Sequence, residues 1–134
     1  MATHAVTSQD FNQVVESNDL VFVDFWATWC GPCRAFGPTF EKASEANPDV
    51  YFAKVDIDQN PDLAAAAKVQ AVPMLMVVKK QQIIFQQAGA LRASDLDDLI
   101  SQAKALDMDA AASDGNTASS GDAKVKTPSS QSER

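Results

Sequence analysis

The chain has little with which to hold a metal or build a covalent scaffold: two cysteines, one histidine and one tyrosine in 134 residues. A zinc centre built on the cysteines needs further Cys or His ligands. The only histidine, His4, lies near the N-terminus and has no partner evident in the sequence. Asp56 and Asp58 lack the glycine and terminal glutamate of a calcium loop and read as turn and cap residues. No metal is therefore expected. Positive charge is scarce, with 11 Lys and Arg against 18 Asp and Glu and a formal charge of −7. That argues against non-specific nucleic-acid binding, which needs basic patches. No apolar run approaches a membrane span. The first seven residues lack a charged region followed by an apolar one, so no secretory signal is expected. There is no dinucleotide-binding glycine pattern and no internal repeat. A cytoplasmic, reducing location is the expectation, and there a lone cysteine pair is more often catalytic than stapling.

What is present is enough for one domain with a real core, since 46% of the residues are hydrophobic. Both cysteines fall in Trp26-Ala27-Thr28-Trp29-Cys30-Gly31-Pro32-Cys33-Arg34. This stretch follows an apolar run, Leu20–Phe25, that reads as a buried strand, and precedes a helical segment. A thiol at a strand–helix junction meets free backbone N–H groups and the positive end of the helix dipole. Both favour thiolate, the nucleophilic form. Cys30 is thus expected to be the more acidic and more accessible sulfur and to attack. Cys33, one turn on, is placed to resolve. The alternatives are half a zinc site or a structural disulfide.

Trp-Cys-Gly-Pro-Cys after an apolar strand containing an aspartate resembles the active site of the thioredoxins, and the resemblance runs from about His4 to Leu106. A Cys-x-x-Cys pair in this context reads as a redox site. Asp24 is the one carboxylate in the first central strand, read as Leu20–Ala27. It either turns to solvent at a sheet edge or is buried with a raised pKa. The resemblance implies the second, with Asp24 as general base toward Cys33 and Lys54 beside it, modulating its pKa. It also implies a cis peptide before Pro73, with the Val72 peptide group available to an extended substrate, and room beside the site at Gly89. Met74 stands where the family usually has threonine. Trp29, Gly31, Pro32, Val72, Pro73, Gly89 and Ala90 would form a mostly uncharged substrate platform. Trp29 is otherwise a scattered surface aromatic. Trp26 reads as packing support. Arg34 either favours thiolate or only solvates the helix.

The remaining elements follow from pattern. A short edge strand is expected at His4–Thr7. Ser8 is a candidate N-cap for a helix to Ser17 with Phe11, Val14 and Val15 on one face. A helix from Cys30 to Asn47 would bury Phe36, Phe40 and Ala43 and be kinked or split at Pro38. A strand is read at Val50–Val55, and a short helix starts at Asn60-Pro61. Met74–Val78 and Gln82–Gln87 form a hairpin whose turn lacks Asn-Gly and is expected to be irregular. Ser94 with Asp97 resembles a capping box opening a last helix to Leu106, with Leu96, Leu99, Ile100 and Ala103 buried. Residues 107–134 are rich in Ser, Ala, Gly and Asp and are expected to be a disordered tail.

The expected class is α/β. The resemblance implies a thioredoxin fold: a central mixed five-stranded sheet flanked by four helices. It further implies a monomeric protein-disulfide reductase that binds no cofactor, acts on disulfide-containing proteins, and is itself reduced by an NADPH-dependent flavoprotein thioredoxin reductase. A disulfide oxidase or isomerase is a second reading, but such relatives usually carry histidine between the cysteines. A third is a binding module using the same platform.

Overall fold

The computed structural model describes residues 2–108, and the expected tail lies outside the described residues apart from its first two positions. The elements are β1 (Thr3–Ala5), α1 (Phe11–Ser17), β2 (Leu20–Trp26), α2 (Gly31–Ala46), β3 (Tyr51–Asp56), α3 (Pro61–Ala66), β4 (Met74–Lys79), β5 (Gln82–Ala88) and α4 (Ala93–Ala105). The strands form one mixed sheet in the order β1-β3-β2-β4-β5. β2 is its centre, parallel to β3 and antiparallel to β4. The apolar run of β2 thus meets a strand on each side and helices on both faces, the situation that favours near-continuous hydrophobicity.

Alternation along the strands divides the core in two. Phe22, Phe52, Leu75 and Val77 pack with Phe36, Phe40 and Ala43 of α2 and Leu96, Ile100 and Ala103 of α4. On the opposite face Val21, Val23, Phe25, Val55 and Met76 pack with Phe11, Val14 and Val15 of α1 and Leu63 of α3. Asp24 follows Phe22 at a spacing of two and therefore faces the α2 side.

Several local expectations are corrected. The helix through Pro38 is one element of 16 residues, which excludes the split into two helices. Ser8 does not cap α1. The N-cap is Asp10, without a side-chain cap bond, and Ser8 bonds instead to Asn60 and Asp62. Ser94 lies inside α4, so no capping box forms. The β4–β5 turn is tight: Lys80 and Gln81 both take left-handed φ, 49° and 67°, as in a primed hairpin turn. Lys79 is the last residue of β4, buried, and donates to the Ala103 and Lys104 carbonyls at 2.6 and 3.1 Å, closing the C-terminal end of α4. His4 is exposed, yet its ring stacks on Tyr51 at 4.6 Å.

Candidate active site

β2 ends at Trp26, and the next four residues turn into α2. The Cys30 N–H donates to the Ala27 carbonyl at 3.2 Å, tightening that turn. Cys30 is the N-cap of α2, in extended conformation, and Pro32 lies in the first turn where its missing N–H costs nothing. Cys30 and Cys33 form a disulfide with Cα atoms 5.3 Å apart. The Cys33 N–H donates to Cys30 Sγ at 3.1 Å. The two residues are almost equally covered, at 4% and 5% exposure. Accessibility therefore does not separate the sulfurs in the disulfide. The hydrogen bond and the helix start do.

The disulfide rests on Ala27, with Trp26, Ile57 and Val72 against it. The Val72–Pro73 bond is cis, and the Val72 carbonyl oxygen lies 3.6 Å from Cys30 Sγ. The Gly89 N–H donates to the Pro73 carbonyl at 2.7 Å, tying the end of β5 to this loop. Gly89 is needed for its φ of 113°. A Cβ there would meet nothing, so the residue answers a conformational demand rather than a crowded one. Gly31, Pro32, Gly89 and Ala90 are exposed, Val72 is half-buried and Pro73 is buried. Met74 is buried and belongs to the core on the α1–α3 side.

Trp29 is the most exposed large apolar side chain described, at 64%. It is not loose: its indole N–H donates to Asp58 Oδ2 at 3.0 Å. Asp58 in turn is set by its own N–H donating to Asp56 Oδ1. Trp26 is half-buried against the disulfide, as its packing assignment required. Arg34 donates through Nη2 to the Thr28 carbonyl at 3.1 Å and so clasps the loop before the cysteines.

Asp24 is wholly buried. Neither carboxylate oxygen has a hydrogen-bond partner among the described residues. Burial raises its pKa from 3.8 to about 7, against the smaller lowering effect of the Lys54 charge. The solvent-facing alternative is therefore excluded. Lys54 is the direct β3 neighbour of Asp24 in the sheet register, but no ion pair forms. Its ammonium instead sits 5.3 Å from the centre of the Trp26 ring. Among the described residues no group of His, Cys, Asp or Glu is arranged to hold a metal ion, and no helix is long and apolar enough to cross a membrane.

Two contributors were not read from sequence. Ile57 packs on the disulfide and Asp58 fixes Trp29. The available signal was a lone apolar residue between two aspartates directly after a strand.

The thioredoxin family model matches residues 2–102. A Streptomyces coelicolor protein assigned as a thioredoxin 2 is 50% identical over 108 residues, 81% of each chain. Among solved structures, a mutant thioredoxin from Halobacterium salinarum superposes with a TM-score of 0.74 at 33% identity, over 78% of this chain and 93% of that one. The oxidised mitochondrial thioredoxin 3 of Saccharomyces cerevisiae gives 0.68 at 36% identity, over 75% and 93%. With its Cys30–Cys33 disulfide at the head of α2, the chain belongs to the thioredoxin family and is a thiol–disulfide oxidoreductase.

Proposed function

We propose that the chain reduces protein disulfides with Cys30 as nucleophile, Cys33 as resolving thiol and Asp24 as the group that takes the Cys33 proton. The observation that carries the division of labour is the Cys33 N–H aimed at Cys30 Sγ. In the dithiol form that donor and the start of α2 favour negative charge on Cys30, whereas the Cys33 sulfur receives no such bond. Cys30 thiolate attacks one sulfur of a substrate disulfide, and the other leaves as a thiolate. Cys33 then loses its proton and attacks Cys30 Sγ, which breaks the mixed disulfide and frees the second substrate thiol. Two electrons pass to the substrate and the Cys30–Cys33 disulfide remains.

Asp24 suits its step because a carboxylate titrating near 7 is matched to neutral pH. Lys54 adjusts that value through its charge. Trp29, Gly31, Pro32, Val72, Pro73, Gly89 and Ala90 make the substrate platform, with the Val72 peptide group orienting an extended segment as an added strand. The lack of charge among these residues admits varied protein partners. We assign the reducing electrons to a flavoprotein thioredoxin reductase using NADPH, the location to the cytoplasm, the redox domain to residues 1–106, and the working form to a monomer.

Insulin-disulfide reduction with dithiothreitol or reductase as electron source tests the assignment. Cys30→Ser should abolish acceleration. Cys33→Ser should accumulate a mixed disulfide through Cys30. Alkylation of the reduced protein near neutral pH without preference for Cys30 over Cys33 would overturn the order of attack. A binding module would retain its interactions in both variants.

A further inference from the structure

A groove of about 550 Å³ opens on the α2 side of the sheet and reaches Cys33, with Trp26, Thr28, Arg34, Gly37, Glu41 and Lys54 among its other lining residues. Two cations and one carboxylate face it. The carboxylate is already engaged: Glu41 accepts the Ala2 N–H at 3.0 Å and the Thr3 hydroxyl at 2.6 Å, chiefly the latter holding its pKa below the ordinary value. The cations are less committed. Lys54 is half-buried, has no carboxylate in ion-pair contact among the described residues, and holds its ammonium over Trp26. Arg34 spends one guanidinium nitrogen on the Thr28 carbonyl, and a guanidinium carries five N–H donors.

Gly37 supplies an independent observation. It sits inside α2, where glycine costs about 1 kcal/mol relative to alanine. No left-handed φ requires it. A Cβ at this position would come within 3.8 Å of Lys54 Nζ, and a longer side chain would lie across the ammonium. Glycine here leaves the Lys54 charge open to the groove.

We propose that this groove binds a small oxyanion, of the sulfate or phosphate type, held by Lys54 and Arg34 and admitted over Gly37. Binding is coupled to the proton on Asp24. Lys54 is the β3 neighbour of Asp24 and the charge that favours its ionised form. The β4 neighbour is Leu75, which carries no charge. At the groove α2 contributes Arg34, Glu41 and Cys33, the last held in the disulfide and so not titrating in the oxidised chain. An anion on Lys54 offsets the field that keeps Asp24 ionised, so the bound state favours protonated Asp24. By reciprocity, protonated Asp24 favours the anion. The site does not depend on the base function proposed for Asp24. Only its effect on turnover does.

The test is a sulfate titration of the oxidised full-length chain followed by amide NMR, with sodium chloride at matched ionic strength as reference. Sulfate keeps its charge across the relevant pH range, so any pH dependence belongs to the protein. Saturable shifts at Gly37 and Lys54 with a millimolar midpoint are expected, absent with chloride. The affinity should fall about fivefold as pH rises through the Asp24 titration. Lys54→Met should abolish saturation. Gly37→Leu, which keeps both cations and improves helix propensity, should abolish it as well. Linear shifts equal to those in chloride, or saturable binding that survives both variants, would overturn the site. Saturable, pH-linked binding that leaves insulin reduction unchanged would support the site and reject the base assignment of Asp24.

Discussion

Replacing Asp24 by asparagine removes a titration while keeping the shape of the side chain, and the consequence for stability has a definite sign. In the unfolded chain the carboxyl ionises near its ordinary 3.8, and in the native protein near 7. Below the first value both states hold the proton and the group contributes nothing. Between the two values the native state keeps a proton that the unfolded state has released. Stability then falls as pH rises, by about 1.4 kcal/mol per pH unit. Above the second value both states are ionised and the penalty levels off. Over the full interval, from 3.8 to about 7, the accumulated cost is about 4 kcal/mol.

Asp24→Asn never ionises, so its stability curve should lack this slope. Its amide is buried where the carboxylate had no partner, which costs about 1–3 kcal/mol at every pH. The absolute offset is therefore not the readout. The readout is the change in the difference between variant and wild type, measured by urea unfolding of the oxidised proteins between about pH 4 and pH 8. The variant should gain about 4 kcal/mol on the wild type over that range. All other carboxylates titrate in both proteins and cancel. Curves parallel to within about 0.5 kcal/mol would show that Asp24 is not a buried, proton-retaining acid, and the reasoning on the resolving step would go with it.

Lys79→Met keeps the aliphatic stem but removes the donor to Ala103 and Lys104. Thermal unfolding should show a loss of about 1–3 kcal/mol, and hydrogen exchange should show the last turn of α4 opening first. Gln81→Gly relieves a φ of 67° and should stabilise the hairpin by about 1 kcal/mol in urea unfolding, because the native conformation costs glycine least. Trp29→Ala should lower kcat/KM for insulin about tenfold or more with little change in melting temperature, since the ring is 64% exposed. An equal loss with a small disulfide substrate would show that the ring does not serve protein recognition.

The fold was legible wherever burial is written as periodicity. The β2 run and the Phe36, Phe40 and Ala43 spacing of α2 need only local composition to declare a face, and the helix start at Pro61 needs only the residue before it. The Trp-Cys-Gly-Pro-Cys stretch carries its chemistry in its position between strand and helix. Capping was poorly legible, because a cap is a competition for hydrogen bonds. Ser8 has the right chemistry for an N-cap, but Asn60 and Asp62 reach it across more than fifty residues of chain and win. Asn60 is the N-cap of α3 by position, and its side chain is spent on Ser8 and the Asp56 carbonyl. Lys79 looked like a turn residue because its partners lie 24 and 25 positions away. The Lys80-Gln81 turn shows a related failure. The strands it joins demand a left-handed two-residue turn, and the sheet imposes it on residues that do not favour it.

The same competition decides the chemistry at Asp24. Its neighbour Lys54 is in register, and sequence reasoning pairs the two. A direct ion pair would hold the carboxyl well below neutrality and leave a weak base. Desolvation alone, with no cation near, would hold the proton more tightly and leave little base at neutral pH. The ammonium takes a third position, over the indole of Trp26, close enough to act through its field and without a bond to the carboxylate. Burial then wins by a margin that brings the group to about 7, where the protonated and ionised forms coexist under working conditions. Trp26, which packs against the disulfide, is thereby also the residue that holds the Lys54 charge. One aromatic side chain at the end of β2 thus touches both the disulfide and the cation whose field acts on Asp24.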